Sequence, residues 1–180
     1  MLIREANLAD APGIAKVHVD AWQTTYRDLM PAKFLADLSY KAREKMWIKI
    51  FSNIAELNFT YIAENEIGQI VAFASGGRER TGDRLYQGEL YAIYILENYQ
   101  RQGLGHRLIS TVAKRLLQSD ISSMLVWVLA DNPACQFYQS LGGQQVKQKQ
   151  VEIGTVQLIE VAYGWVDLEL GIANLFQSKI

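Results

Sequence analysis

The feature that most constrains the fold is a loop with two glycines, QRQGLGH at 100–106, set between a strand pattern and a helix pattern. The run ELYAIYI at 89–95 precedes the loop, and apolar residues recur at every fourth position from Leu104 to Leu116 behind it. That spacing predicts a helix of about four turns. The next apolar run, SMLVWVL at 123–129, is typical of a strand covered on both faces. We therefore expect a right-handed parallel crossover, with the loop at the carboxyl end of its first strand.

The N-terminal half shows helix patterns followed by a hairpin pattern. A short strand is predicted at 2–6, and then a helix for which Asp10 offers an N-terminal cap. A second helical region starts near Pro31 and is broken at Ser39. Two apolar runs within 59–77 flank the polar segment ENEIGQ and predict a hairpin. This half therefore combines helices with antiparallel strands.

The C-terminal part continues the alternation of helices and strands. PACQFYQSL at 133–141 predicts a short helix closed by Gly142. The segment KQVEIGTVQLIEVAYGW at 149–165 predicts a hairpin that turns near Gly154. The apolar tail GIANLF at 171–176 is expected to cover either the sheet of its own domain or that of a second copy in a homodimer. The pattern favours neither of these two placements.

Length, charge and cysteine content exclude several classes of protein. A chain of 180 residues predicts one domain over 1–180. With 18 basic and 19 acidic residues the formal charge is −1, which provides no general attraction to nucleic acid or to an anionic membrane. One cysteine and two histidines allow neither an internal disulfide nor a closed zinc site, so no metal is expected. Charges near the N-terminus and the lack of a run of about 18 apolar residues predict a cytoplasmic protein.

The glycine loop has the chemistry of an anion site. A helix start exposes main-chain N–H groups and carries roughly half a positive charge, so it attracts phosphate. Gly103 and Gly105 are expected to supply special torsions and a close main-chain approach, with Arg101 and His106 at the rim. The spacing lacks the Lys-Ser or Lys-Thr of the lysine-containing nucleotide loop and the third glycine of the dinucleotide fingerprint. A pyrophosphate cradle and a turn without a ligand both remain open on the loop alone.

A second motif makes the interpretation specific. QRQGLG resembles the Q/R-x-x-G-x-G/A signature of the GNAT superfamily of acyl-CoA-dependent N-acyltransferases, and DNPACQFYQSLGG at 131–143 resembles that family's Asn-x-x-Ala-x-x-Phe-Tyr segment. The resemblance covers nearly the whole chain. It implies an α/β fold, with a mostly antiparallel sheet, one parallel and splayed strand pair, and flanking helices. Many members follow the glycine of that segment with phenylalanine, whereas this chain has Gly142-Gly143-Gln144, a departure that affects packing more than chemistry.

The resemblance implies acetyl-CoA as the acetyl donor, bound mainly by main-chain groups. By position, three residues of the fourth strand would contact the acyl and pantetheine parts, and the residues of the loop would contact the pyrophosphate. The strand residues are Ile93, Tyr94 and Ile95, and the loop residues are Arg101, Gln102, Gly103, Leu104, Gly105 and His106. Asn132 resembles a residue that hydrogen-bonds the pantetheine arm, although a turn or helix cap before Pro133 explains it equally.

Two further residues resemble the catalytic groups of the family. Glu89 stands where many members keep a general base, and the alternative is a solvated glutamate at a strand end. Tyr138 matches the usual acid that protonates the departing thiolate, and the alternative is a core tyrosine beside Phe137.

The acceptor side of the reaction is less defined. Trp22, Tyr26 and Tyr91 are predicted to line an acceptor pocket in which aromatic faces hold a cationic amine, although aromatics at helical spacing also suit a core. The predicted function is transfer of an acetyl group to a primary amine of a small molecule or peptide, by direct attack in a ternary complex. The alternatives are a catalytically silent acyl-CoA sensor and a nucleic-acid-binding module, and the charge balance disfavours the latter.

Overall fold

A computed structural model describes residues 1–53 and 57–171, and shows a seven-stranded sheet with helices. The strands are β1 Leu2–Glu5, β2 Asn58–Glu64, β3 Ile70–Arg78, β4 Gly88–Ile95, β5 Met124–Leu129, β6 Gln144–Ile153 and β7 Val156–Trp165. The helices are α1 Ala11–Thr25, α2 Ala32–Ala36, α3 Tyr40–Ser52, α4 Leu104–Leu117 and α5 Ala134–Ser140. The predicted α/β fold class is confirmed. The apolar tail, apart from Gly171, lies outside the described residues.

The strands occur in the order β1-β2-β3-β4-β5-β7-β6. The pairs β1–β2, β5–β7 and β6–β7 are antiparallel, and the pair β4–β5 is parallel, as the crossover pattern predicts. The parallel pairing covers Gly88–Leu90 and Met124–Val126, although β4 continues to Ile95 and β5 to Leu129. The two parallel strands are therefore hydrogen-bonded to each other over a short stretch at their start.

The chain divides into two compact units. Among the described residues, the first comprises 1–53, 57–75 and Ala92–Ile109, and the second comprises Gly76–Tyr91 and 110–171. Both β4 and α4 contain residues of each unit. The single domain over 1–180 stays a prediction. None of the helices within 1–53 and 57–171 is long and apolar enough to cross a membrane.

An arginine at the start of the first unit links two strands to the turn before α1. Arg4 donates to both carboxylate oxygens of Asp10 at 2.8 Å and to Glu64 at 2.6 Å, and the main-chain N–H of Asn7 also donates to Asp10. Asp10 stands at the N-cap position of α1, as predicted, but its side chain makes no capping hydrogen bond to that helix, because the carboxylate is occupied by Arg4 and by the preceding turn. The hydrogen bonds from Arg4 lower the pKa of Asp10.

The second unit holds α5 against the final strand through a close contact at Gly143. A Cβ atom at this position would lie 2.6 Å from a ring carbon of Trp165 and 2.9 Å from the carbonyl oxygen of Tyr138. Trp165 also donates its indole N–H to the carbonyl of Leu141 at 2.9 Å. Glycine is needed here for space, which agrees with the expectation that this departure from the family pattern concerns packing.

The core of the first unit encloses an ionisable side chain, His18. It is surrounded by the rings of Trp47, Phe73 and Tyr94, and the Tyr94 ring stacks on it at 5.0 Å between centroids. The indole N–H of Trp47 donates to His18 Nδ1 at 3.4 Å, so the neutral imidazole carries its proton on Nε2. Burial, helped by the charge of Arg43, lowers the pKa of His18 to about 3. The sequence suggested only a helix-face residue at this position.

This buried histidine makes the free energy of unfolding depend on pH. Below pH 6.5 the unfolded chain binds a proton at His18 that the folded chain does not bind, so acidification from pH 6.5 towards 3 favours unfolding. We expect His18→Gln, which still offers Trp47 an acceptor, to lose about 2 kcal/mol less of its free energy of unfolding between pH 6.5 and 5 than the natural protein. Urea unfolding at both pH values measures this difference. Parallel losses in the two proteins would show that His18 is already charged in the fold.

Candidate active site

The glycine loop reaches α4 through two left-handed residues. Arg101 has φ +57° and Gly103 has φ +76°, and α4 begins at the next residue, Leu104, which is buried. A Cβ atom on Gly103 would have no neighbour within 4 Å, so glycine is required here by the torsion and not by space. The special torsion expected of Gly105 is wrong, because Gly105 is the second residue of α4 and is absent from the left-handed glycines of the described chain.

Two glutamine side chains fix the path of the loop. Gln100 donates to the carbonyl of Ile95 at 3.0 Å, and Gln102 donates to the carbonyl of Asn98 at 2.9 Å. Both side-chain amide groups therefore form hydrogen bonds within the loop. Any contact of Gln102 with a diphosphate would be made by its main-chain N–H. The first N–H groups of α4 have no carbonyl partner within their own helix, which is the usual arrangement of an anion site.

Strand β4 changes its environment along its length. Residues Gly88–Leu90, which pair with β5, are buried, whereas Tyr91–Ile95 are all half-buried. The ring of Tyr94 packs against His18 and Phe73. The predicted contact of Tyr94 with the acyl donor would therefore be made by its main-chain atoms. Because side chains alternate along a strand, Ile93 and Ile95 face away from that core.

The predicted base, Glu89, is 2% exposed and is held by an arginine. Its Oε2 accepts from Arg80 Nε at 3.0 Å and from the Arg80 main-chain N–H at 3.3 Å, and its Oε1 accepts from Arg80 Nη2. The alternative of a solvated glutamate is wrong, since this carboxylate lies beneath the surface. The hydrogen bonds that Arg80 donates to Glu89 raise the pKa of Arg80. Both residues lie in the second unit.

Tyr91 completes this cluster in the second unit. The guanidinium carbon of Arg80 lies 4.3 Å from the centre of the Tyr91 ring, within the range of a cation–π contact. The phenol donates to the carbonyl oxygen of Arg78 at 2.6 Å, which fixes the ring. Burial, followed by the charge of Glu89, raises the pKa of Tyr91 to about 12. Tyr91 and Glu89 therefore share one cation, which the sequence did not predict.

Arg80 is the residue of this cluster that sequence reasoning missed. It lies in the polar segment GRERTGDR at 77–84, for which the sequence predicts only a loop. Arginines also occur there at 78 and 84, and no periodic pattern distinguishes the one that returns to Glu89. The available signal was the combination of several arginines with a lone acidic residue at the start of an otherwise apolar strand.

Tyr138 and Asn132 lie on either side of the start of α5 in the second unit. Tyr138 is 4% exposed and packs against the rings of Tyr163 and Trp165, at centroid distances of 6.0 and 6.4 Å. The side-chain oxygen of Asn132 accepts from the Ala134 N–H at 2.9 Å, so the alternative role at the start of the helix is present. A contact of Asn132 with a pantetheine arm therefore falls to its side-chain NH2 group.

The other predicted acceptor residues lie in the first unit. The rings of Trp22 and Tyr26 are 4.7 Å apart, and the guanidinium of Arg43 lies 5.6 Å from the Trp22 ring. Tyr26 is buried and Trp22 is half-buried. The indole N–H of Trp22 is shielded from solvent and has no hydrogen-bond partner among the residues that the structure describes. Trp22 and Tyr26 thus pack against each other, and Trp22 also has a buried indole N–H donor.

Comparison with known proteins identifies the class. The family model for FR47-like proteins matches residues 82–151, a range that includes Glu89, the glycine loop and Tyr138. The chain is 45% identical over 166 residues to the uncharacterized N-acetyltransferase YuaI of Bacillus subtilis, which covers 92% of this chain and 93% of that protein. The chain therefore belongs to the GNAT superfamily of N-acetyltransferases, so the resemblance and the enzyme class predicted from the two motifs are confirmed. Acetyl-CoA is the acetyl donor of that class.

Solved structures show the same fold. A ribosomal-protein-alanine N-acetyltransferase from Brucella melitensis superimposes with a TM-score of 0.70 at 23% identity, covering 92% of this chain and 99% of that one. The putative acetyltransferase YncA from Salmonella typhimurium, solved with its cofactor acetyl-CoA, superimposes with a TM-score of 0.68 at 22% identity, covering 93% and 94%. At these identities the likeness concerns the fold.

The torsion at Gly103 provides a test of the loop. We expect Gly103→Ala to weaken the binding of coenzyme A by about 5- to 10-fold, because relieving roughly 1 kcal/mol of strain moves the neighbouring N–H groups. Gly68→Ala is a matched control, since Gly68 also has φ +76° and open space but lies in the β2–β3 turn. It should lose similar stability and keep its affinity. Calorimetric titration with coenzyme A checks both variants, and equal affinities would exclude the loop as the anchor.

Proposed function

We propose that the chain transfers an acetyl group from acetyl-CoA to a primary amine of a small molecule or peptide, by direct attack in a ternary complex. The observation that carries this proposal is the left-handed backbone at Arg101 and Gly103. These residues lie between β4, which ends at Ile95, and α4, which begins at Leu104 and whose first N–H groups have no carbonyl partner within their own helix. This is the arrangement needed to hold a diphosphate beside an accessible strand edge.

The residues that would hold the donor fit its chemistry. The N–H groups of Gly103, Leu104, Gly105 and His106 provide donors at a positively polarised helix start, and Arg101 and Gln102 precede them in the loop. Main-chain groups of Ile93, Tyr94 and Ile95, in the half-buried part of β4, would contact the acyl and pantetheine parts. Bound acetyl-CoA supplies an activated acyl group. The N–H of Ile93 would polarise its thioester carbonyl.

The two candidate catalytic side chains have complementary proton tasks. A lysine-like amine with a pKa of about 10.4 is neutral in about one molecule in 10³ at pH 7, so a group that removes its proton is needed. Glu89 is the carboxylate for this task, acting directly or through a water. Tyr138 would then protonate the departing thiolate, whose thiol resembles that of cysteine with a pKa near 8.5.

A catalytically silent acyl-CoA sensor is the second candidate, and one observation favours it. Glu89 already accepts three hydrogen bonds from Arg80, so the guanidinium holds the position from which an acceptor amine would reach the carboxylate. The decisive experiment follows thiol release from acetyl-CoA over a panel of polyamines, amino acids, aminoglycosides and peptides with free N-termini. Release above the rate with water for at least one amine is expected. Tight binding of acetyl-CoA without release for any amine would establish the sensor.

The role of Tyr138 is tested by removing its hydroxyl. We expect Tyr138→Phe to lower kcat on the order of 10²-fold with coenzyme A affinity unchanged, because the ring still packs against Trp165 while the proton donor is lost. Tyr163→Phe is a matched control, since it removes a phenol from the same aromatic cluster. Steady-state thiol release and calorimetry measure the two quantities. Equal effects of both variants on kcat would assign Tyr138 to packing.

A further inference from the structure

We propose that Glu89 and Tyr91 form the subsite for the acceptor's ammonium group, and that Arg80 fills this subsite until the acceptor displaces it. This inference rests on the proposed acetyl transfer to an amine. It assigns the acceptor to compact cations, which replace the guanidinium of Arg80 between a carboxylate and an aromatic face.

The first argument is the geometry around Glu89. Both of its oxygens accept from the guanidinium of Arg80, and Oε2 also accepts from the Arg80 main-chain N–H. Because Glu89 is 2% exposed, few directions remain from which another donor reaches it. A direct hydrogen bond from an acceptor amine therefore needs the position that the guanidinium holds. The main-chain N–H is not affected by such an exchange.

The second argument is the aromatic face beside that position. The Tyr91 ring lies 4.3 Å from the Arg80 guanidinium carbon, and the phenol is fixed by its bond to the Arg78 carbonyl. A carboxylate next to the face of a tyrosine attracts ammonium as well as guanidinium, since both interactions depend on positive charge. Arg80 thus occupies a site whose two recognition elements are equally suited to the acceptor.

The third argument is the asymmetry of burial within the ion pair. The side chain of Arg80 is 60% exposed, whereas that of Glu89 is 3% exposed. The guanidinium returns to water easily, but a buried carboxylate without a cation is unfavourable. An exchange of cations is therefore favoured over an open site. It also keeps Glu89 compensated when no acceptor is bound.

The exchange changes the chemistry because the two cations differ as acids. A guanidinium keeps its proton at all relevant pH values, so Arg80 is an inert occupant. An ammonium of the acceptor transfers one proton to Glu89, and the nitrogen lone pair then forms the N–C bond as the C–S bond breaks. The thiolate accepts a proton from Tyr138, and the second proton that the nitrogen loses on becoming an amide restores the Tyr138 phenol through water. The ammonium and the thioester together yield an amide, a thiol and one proton, which Glu89 releases to water.

The substitution Arg80→Met tests this directly, because it keeps the apolar stem and removes the competing cation. The KM for the best amine of the panel at pH 8 should fall at least threefold. Arg84→Met is the matched control, as Arg84 is an exposed arginine of the same segment, and its KM should equal that of the natural protein. A KM that rises, or a kcat that falls with KM unchanged, would overturn the proposal, since Arg80 would then serve to orient Glu89.

A measurement without turnover separates this inference from the proposed function. Methylguanidinium should bind Arg80→Met in calorimetry, compete with the amine in thiol release, and bind the natural protein at least tenfold more weakly. Equal binding to both proteins, or none to Arg80→Met, would contradict the subsite even if acetyl transfer is active. If Arg80→Met does not fold, Arg80→Lys replaces it. Its single ammonium should lower the amine KM by a smaller factor, and an unchanged or higher KM would overturn the proposal.

Discussion

The two-residue alternation of strand β4 is the constraint on which the candidate site depends. Side chains at 89, 91, 93 and 95 share one face of the strand, and those at 90, 92 and 94 share the other. Side chains of the second face are packed in the interior: Leu90 is 1% exposed, and Tyr94 stacks on the buried His18. Since a shift of one residue would exchange the two faces, packing at Leu90 and Tyr94 fixes Glu89 and Tyr91 on the first.

The two arginine–carboxylate clusters of the described chain have different structural consequences. Arg4 contacts Asp10 and Glu64, which joins two strands to a turn, and neither acid lies beside an aromatic ring that accepts the same cation. Arg80 contacts one acid of its own unit and one ring, and its side chain is exposed nearly twice as much as that of Arg4. The Arg4 network is suited to holding elements together, whereas the Arg80 cluster presents a replaceable cation.

Local patterns predicted the elements, and long-range polar contacts were not predictable. The four-residue spacing from Leu104 predicted α4, and the turn glycines Gly142 and Gly154 both have positive φ, as their positions indicated. The contact of Arg80 with Glu89 joins a loop to a strand, and no propensity encodes such a partner. Asp10 is the N-cap residue of α1 but makes no side-chain capping hydrogen bond for a related reason, since an arginine on β1 binds its carboxylate.

The glycine motif shows the same limit at smaller scale. The sequence does not distinguish the two glycines of the motif. In the structure, however, Gly103 has a left-handed backbone and Gly105 lies within the first turn of α4. The sequence predicted that a flexible backbone is needed before the helix, and the exact distribution of torsions depends on where the helix begins. Arg101 carries the second left-handed torsion, which a pattern of glycines does not reveal.

The electrostatics of the second unit also separate its two candidate phenols. Tyr91 already donates its proton to a carbonyl, and its pKa is raised to about 12 by burial and by Glu89. Proton transfer from such a phenol to a thiolate of pKa near 8.5 is uphill by about 3.5 pKa units, or about 5 kcal/mol. Tyr91 is therefore suited to binding a cation and unsuited to the acid step. The proposed acid role is accordingly assigned to Tyr138, whose ring packs against those of Tyr163 and Trp165.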